Sequence, residues 1–72
     1  MKNIHVTKHE EGWQAKEAGS KNPMATFSKQ SDAINFGTSF AKLNGTELFV
    51  HGRNGQIRER NSFGNDPFPP KG

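Results

Sequence analysis

The dipeptide Asn54-Gly55 constrains this chain more than any other feature, because it marks where two short runs reverse on each other. A type I′ hairpin turn needs positive φ at both central residues, and Asn-Gly meets that demand at the least steric cost. A turn at that dipeptide sets the register of its arms. Arg53 faces Gln56, Gly52 faces Ile57, His51 faces Arg58, Val50 faces Glu59 and Phe49 faces Arg60. Side chains alternate across a strand, so the hairpin divides into two faces. One carries Leu48, Val50, Gly52, Ile57 and Glu59 and suits a core. The other carries Phe49, His51, Arg53, Gln56, Arg58 and Arg60, and is basic with an aromatic ring and an imidazole among the charges. A slip of one residue would exchange the two faces.

The rest of the chain supplies the elements that such a hairpin can pack against. Ile4 and Val6 alternate with His5 and Thr7 in a first strand over residues 2–8, and His9-Glu10-Glu11-Gly12 forms a turn. Trp13 and Ala15 alternate with Gln14 and Lys16 in a second strand, expected to pair antiparallel with the first. Ala18 to Pro23 is a polar connection rich in chain breakers. Met24–Phe27 is a short third strand, which the preceding proline assigns to a sheet edge.

A helix over Lys29–Leu43 comes next, with Ser28 as its expected N-cap and Asp32 complementing the dipole of the first turn. Ala33, Phe36, Gly37, Phe40, Ala41 and Asn44 recur at helical spacing, with Ile34 beside them. Gly37 on that face costs about 1 kcal/mol of helix propensity, and its expected return is a close approach of helix to sheet. Asn44-Gly45 ends the helix in a left-handed residue. The predicted order is strand, strand, strand, helix, strand, strand. This is an α+β domain over residues 1–60, an antiparallel sheet with one helix across one face. Residues 61–72 form an irregular tail rich in Pro and Gly, in which Phe63 and Phe68 are expected to dock on the domain or on a dimer mate.

Such a core is thin. Leu, Ile, Val and Phe together number 13 of 72 residues, near the level at which disorder becomes a serious reading. The net charge of +3 is modest, however, and the apolar residues are periodic. A folded domain is expected, with a homodimer as one way to complete its core. The chain has no cysteine, which excludes disulfides, zinc–thiolate sites and thiol catalysis. No apolar run approaches the roughly 20 residues of a membrane helix. The first residues alternate polar with apolar and do not resemble a secretory signal, so a cytoplasmic location is expected.

At the hairpin and tail the chain resembles a family of small prokaryotic and phage-borne proteins catalogued only as a domain of unknown function. The stretch that carries the resemblance begins His51-Gly-Arg-Asn-Gly-Gln-Ile-Arg-Glu-Arg60 and continues Asn61-Ser-Phe-Gly-Asn-Asp-Pro67, with Pro69 and Pro70 just after. Gly12-Trp13 and Phe27-Ser28-Lys29 also look like the family. The resemblance implies a compact α+β module and assigns no activity to any residue.

Catalysis would need a constellation that the chain hardly offers. His5, His9 and His51 lack metal-ligand spacing and suit hydrogen-bonding or solvated roles. Glu10 and Glu11 are adjacent on a turn and point apart. Gly52-Arg-Asn-Gly55 lacks the strand–loop–helix setting of a phosphate loop. The expectation is a binding module without enzyme activity, metal or other cofactor.

The arginines are the better clue, because all three lie in one hairpin while the lysines are spread along the chain. Arg53, Arg58 and Arg60 are expected to neutralise phosphates and Phe49 and His51 to stack on exposed bases, with Lys16 extending the face. The plain alternative is a solvated face whose arginines pair with Glu47, Glu59 or Asp66. A protein target, of the kind a phage-type accessory protein would modify, is the other functional alternative. For the tail, Phe63, Asp66, Pro67 and Phe68 are the candidates for docking or partner contact; Pro67-Phe-Pro-Pro70 also has the spacing of a polyproline ligand.

Overall fold

The computed structural model describes residues 2–63, and its elements follow the predicted order. Strands β1 (Ile4–His9) and β2 (Gly12–Glu17) form an in-register antiparallel hairpin, with Val6 opposite Ala15 and Lys8 opposite Trp13. Strand β3 (Ala25–Phe27) pairs antiparallel with β2 and is the short edge strand that Pro23 foreshadows. Helix α1 (Gln30–Asn44) then crosses one face of the sheet, and β4 (Glu47–His51) and β5 (Ile57–Ser62) complete it.

The five strands lie in the order β3-β2-β1-β4-β5. The sheet is mixed, which corrects the all-antiparallel expectation, because β1 and β4 run parallel with His5 opposite Phe49 and Val6 opposite Val50. Chain direction explains this. Two antiparallel steps leave β3 running in the sense of β1, and a single helix carries the chain back so that the next strand starts in that same sense. A strand–helix–strand passage is the usual way to make a parallel neighbour. Helix α1, of 15 residues, is about 22 Å long, enough to return the chain along the whole sheet.

The core lies between α1 and the sheet. Ile4, Val6, Trp13, Ala15, Leu48 and Val50 point at the helix, which answers with Ala33 and Ala41. Gly37 stands between those two alanines on the buried stripe, and the predicted close approach is there. A Cβ at Gly37 would lie 2.9 Å from Leu48 Cδ1 and 3.3 Å from Val6 Cγ2. Beside this stripe, Phe36 lies between Phe27 and Phe40, tilted against the first and stacked on the second with ring centroids 5.6 and 6.3 Å apart, and closes the flank toward β3.

The helix starts one residue later than expected. Lys29 is the N-cap and makes no side-chain capping bond, so Ser28 does not cap. Gly45 ends the helix in the left-handed conformation, its N–H donating to the Ala41 and Lys42 carbonyls. Strand β5 takes in Asn61 and Ser62, two residues of the predicted tail. Phe63 follows and packs against the core, with its N–H donating to Thr46 O at 3.2 Å and the Lys42 ammonium 5.9 Å from its ring centroid. Asp66, Pro67 and Phe68 lie outside the described residues.

Candidate functional site

The β4–β5 hairpin departs from the register that Asn54-Gly55 suggests, and the departure re-sorts its side chains. Within the hairpin only Gly55 has positive φ (87°), so Asn54 does not adopt the type I′ conformation. The connection is Arg53-Asn54-Gly55, closed by the Gly55 N–H on Gly52 O at 3.0 Å and the Gly52 N–H on Gln56 O at 2.7 Å. Asn54 contributes through its side chain, whose Oδ1 accepts the Gln56 N–H at 3.1 Å.

Past this turn His51 pairs with Ile57, whereas Val50 pairs with Glu59, so Arg58 is an extra residue at a β-bulge. The expected pairings of Phe49 with Arg60 and Val50 with Glu59 are present; those of His51 with Arg58 and Gly52 with Ile57 are not. Ile57 shares the register position of His51, and is 56% exposed instead of lying in the core. Glu59 is also exposed. Arg58 moves to the helix side, where its guanidinium donates to Gln30 Oε1 at 3.3 Å and its stem lies against Gly52. Arg53 projects from the turn, exposed.

The arginines are therefore not a single array, and the structure assembles a different group. Lys16 pairs with His5, His5 with Phe49, and Phe49 with Arg60, which gives one row across four adjacent strands, β2, β1, β4 and β5. Strands lie about 4.8 Å apart, so the row spans roughly 14 Å. All four residues are on the face away from α1, and no described element covers that face. A cation stands at each end, and two rings occupy the middle.

The rings are organised. His5 stacks on Phe49 with centroids 5.0 Å apart and an interplanar angle of 18°. His5 Nδ1 lies 2.9 Å from His51 Nε2, and His51 Nδ1 lies 3.2 Å from Gly55 O. A carbonyl can only accept, so His51 carries its proton on Nδ1. Its Nε2 therefore accepts from His5 Nδ1–H. The turn thus orients His51, and His51 orients His5. Burial, the neighbouring His51 and the Lys16 ammonium together lower the pKa of His5 below the ordinary histidine value. A hollow of about 460 Å³ opens beside the row, bounded by His5, Thr7, Gln14, Lys16 and His51 and by the loop after β2. Its floor is tied together by Gln14 Nε2 donating to Thr7 Oγ1 at 3.0 Å.

Of the sequence candidates, Lys16, Phe49, His51 and Arg60 share this face; Arg53 flanks it and Arg58 leaves it. His5, read from sequence only as a hydrogen-bonding or solvated histidine, stands at the centre. The strand–helix–strand order was the signal that could have found it, since a parallel β4 beside β1 brings Phe49 opposite His5. Among the described residues, no three His, Asp or Glu side chains gather as a metal ion would require. No described helix is long and apolar enough to cross a membrane.

Comparison with known proteins gives one family. A family model described as "uncharacterized protein conserved in bacteria" (DUF2188) matches residues 4–63, from the start of β1 to the residue after β5. No curated protein and no solved structure matches the chain.

Proposed function

The chain belongs to this family of uncharacterized bacterial proteins, and from the geometry of its own open face we propose that it is a nucleic-acid-binding module. The observation that carries the reading is the row Lys16–His5–Phe49–Arg60. Nucleic-acid backbones are held by cations and bases by flat rings, and an open sheet face that carries both is a platform for unpaired bases. Its length of roughly 14 Å suits two or three nucleotides of a single strand better than a duplex groove, which a flat sheet face does not enter. Lys16 and Arg60 stand at the ends of the row, where phosphates would lie, and half-buried Phe49 is the ring that a base would meet.

The test is fluorescence anisotropy with a labelled single-stranded oligonucleotide at low salt. Phe49→Ala is expected to weaken binding by about 1–3 kcal/mol, roughly 5- to 150-fold. Replacing Lys16 and Arg60 with Gln should flatten the salt dependence, by about 0.7 in the log–log slope for each phosphate no longer neutralised. Arg58→Ala, on the helix side, should leave both unchanged. Absence of binding by the parent protein at low salt refutes the reading.

A protein target is the second reading, favoured by Ile57, an apolar side chain more than half exposed in the register of His51. It fits the host-modulating role of a phage-type accessory protein. A pull-down repeated after nuclease treatment separates the two, because only a protein target survives the nuclease.

A further inference from the structure

The histidine pair gives the face a property that cations alone would not. In its neutral state the chain of donors runs one way, from His5 Nδ1–H to His51 Nε2 and from His51 Nδ1–H to Gly55 O. One ring nitrogen is left with a free lone pair, Nε2 of His5, which has no hydrogen-bond partner among the described residues. A proton from solvent can join that atom without breaking either bond, leaving an imidazolium that still donates to His51. A second proton has only His51 Nε2 to go to, and there it would set two N–H groups against each other at 2.9 Å. The geometry therefore accepts one proton for two rings.

The surroundings decide when that proton arrives. Facing the pair are the Lys16 ammonium from β2, the Phe49 ring from β4 and, in the register of Phe49, the Arg60 guanidinium from β5. Glu17 lines the same hollow at the end of β2, and Arg53 projects from the turn beyond His51. Half-burial strips water from His5, and the neighbouring His51 and the Lys16 ammonium oppose a further positive charge there, so the free protein holds His5 neutral to lower pH than an ordinary histidine. A phosphate laid over the row reverses both effects, because it supplies a counter-charge to Lys16 and an acceptor for the new N–H.

Resting on the nucleic-acid reading above, we propose that the His5–His51 pair is a one-proton acceptor that charges when the phosphate held at the Lys16 end of the row settles against His5, so that binding takes up a proton. His5 is then a binding residue whose contact is made only in the protonated state, and acidification strengthens binding.

The probe is an oligothymidylate twelve-mer, chosen because neither thymine nor a phosphodiester titrates between about pH 5 and 8, where histidine does. Anisotropy titrations at constant ionic strength should show affinity rising as pH falls, by at most tenfold per pH unit, the limit for one proton. In the NMR spectrum the His5 ring resonances should titrate at higher pH with the oligonucleotide than without it. His5→Gln keeps a donor for His51 and cannot charge, and its affinity should not vary with pH. Lys16→Gln should move the His5 midpoint upward by removing the repulsion.

Binding by the parent protein that is measurable but independent of pH overturns the proposal and leaves the nucleic-acid reading standing. A parent that binds at no pH overturns both. If His5→Gln fails to fold, the His5 resonances of the parent decide alone, and an unmoved midpoint on binding is the refuting result.

Discussion

Leu48 and Phe49 are neighbours in β4, yet they belong to two differently built faces of one sheet. Toward α1 the sheet is aliphatic and closed: Ile4, Val6, Ala15 and Leu48 are fully buried, and the helix meets them with Ala33, Gly37 and Ala41. On the other side, half-buried His5, Lys16, Phe49 and His51 combine rings, charges and hydrogen-bonding groups. The first face is held by contact and exclusion of water, where volume matters most. The second is held by directional contacts, a stack and two hydrogen bonds that pass from a turn through two imidazoles. The difference separates stability from binding: a change on one face should be felt mainly as unfolding, and on the other mainly as weaker ligand binding.

Truncating each of these two neighbours in turn should separate the roles of the two faces. Leu48→Ala removes a fully buried side chain, at an expected cost of about 2–5 kcal/mol. A domain this small commands only about 3–5 kcal/mol in total, so circular dichroism should find the variant largely unfolded at room temperature. Phe49→Ala loses a stacking partner worth about 0.5–1.5 kcal/mol and should stay folded. Comparable destabilisation in the two variants would mean that the outer face also holds the domain together.

Phe63 tests where the first face ends. It lies beyond β5 but is half-buried against the core. Phe63→Ala should cost about 1–2 kcal/mol, part of the 1.5–3 kcal/mol of a fully buried phenylalanine. At the domain's size that lowers the melting temperature by roughly 5–15 °C. An unchanged melt would place Phe63 outside the folded unit.

The smallest effect expected is the dependence of stability on acid. His5 has a lowered pKa in the folded protein, whereas the unfolded chain takes its proton near the ordinary value of about 6.5. Between those two values the unfolded state binds more protons, so stability falls as pH drops through that window and levels off below the folded value. Chemical denaturation midpoints across the range should show this decline in the parent and a shallower one in His5→Gln. A parent protein that gains stability on acidification in that range would contradict the neutral hydrogen-bonded pair.

Much of this arrangement was legible in the residues. Alternation at Ile4–Thr7 and Trp13–Lys16, the helical recurrence of Ala33, Gly37 and Ala41, and Pro23 before a short strand each led to an element that is present. The reason is local: strand and helix periods are written in the order of polar and apolar residues, and Gly45 ends the helix because it adopts the left-handed conformation there. The parallel pairing of β1 with β4 was also within reach, given a helix between two strands.

The hairpin shows where local reading stops. Asn54-Gly55 pointed to a two-residue turn, but the chain uses a three-residue connection and then a bulge at Arg58. The turn shifts the pairing by one residue, and the bulge shifts it back. Val50 consequently meets Glu59 and Phe49 meets Arg60 as the simpler turn would have them, while His51, Ile57 and Arg58 between the two irregularities change partners or faces. By itself the sequence determined which segments become strands and helix, and that Leu48 and Val50 face a core. Tertiary structure alone decided that Arg58 turns to Gln30 and that His5, 46 residues from His51, becomes its hydrogen-bonding partner. Both depend on contacts between segments distant in the chain, whose registers no local period records.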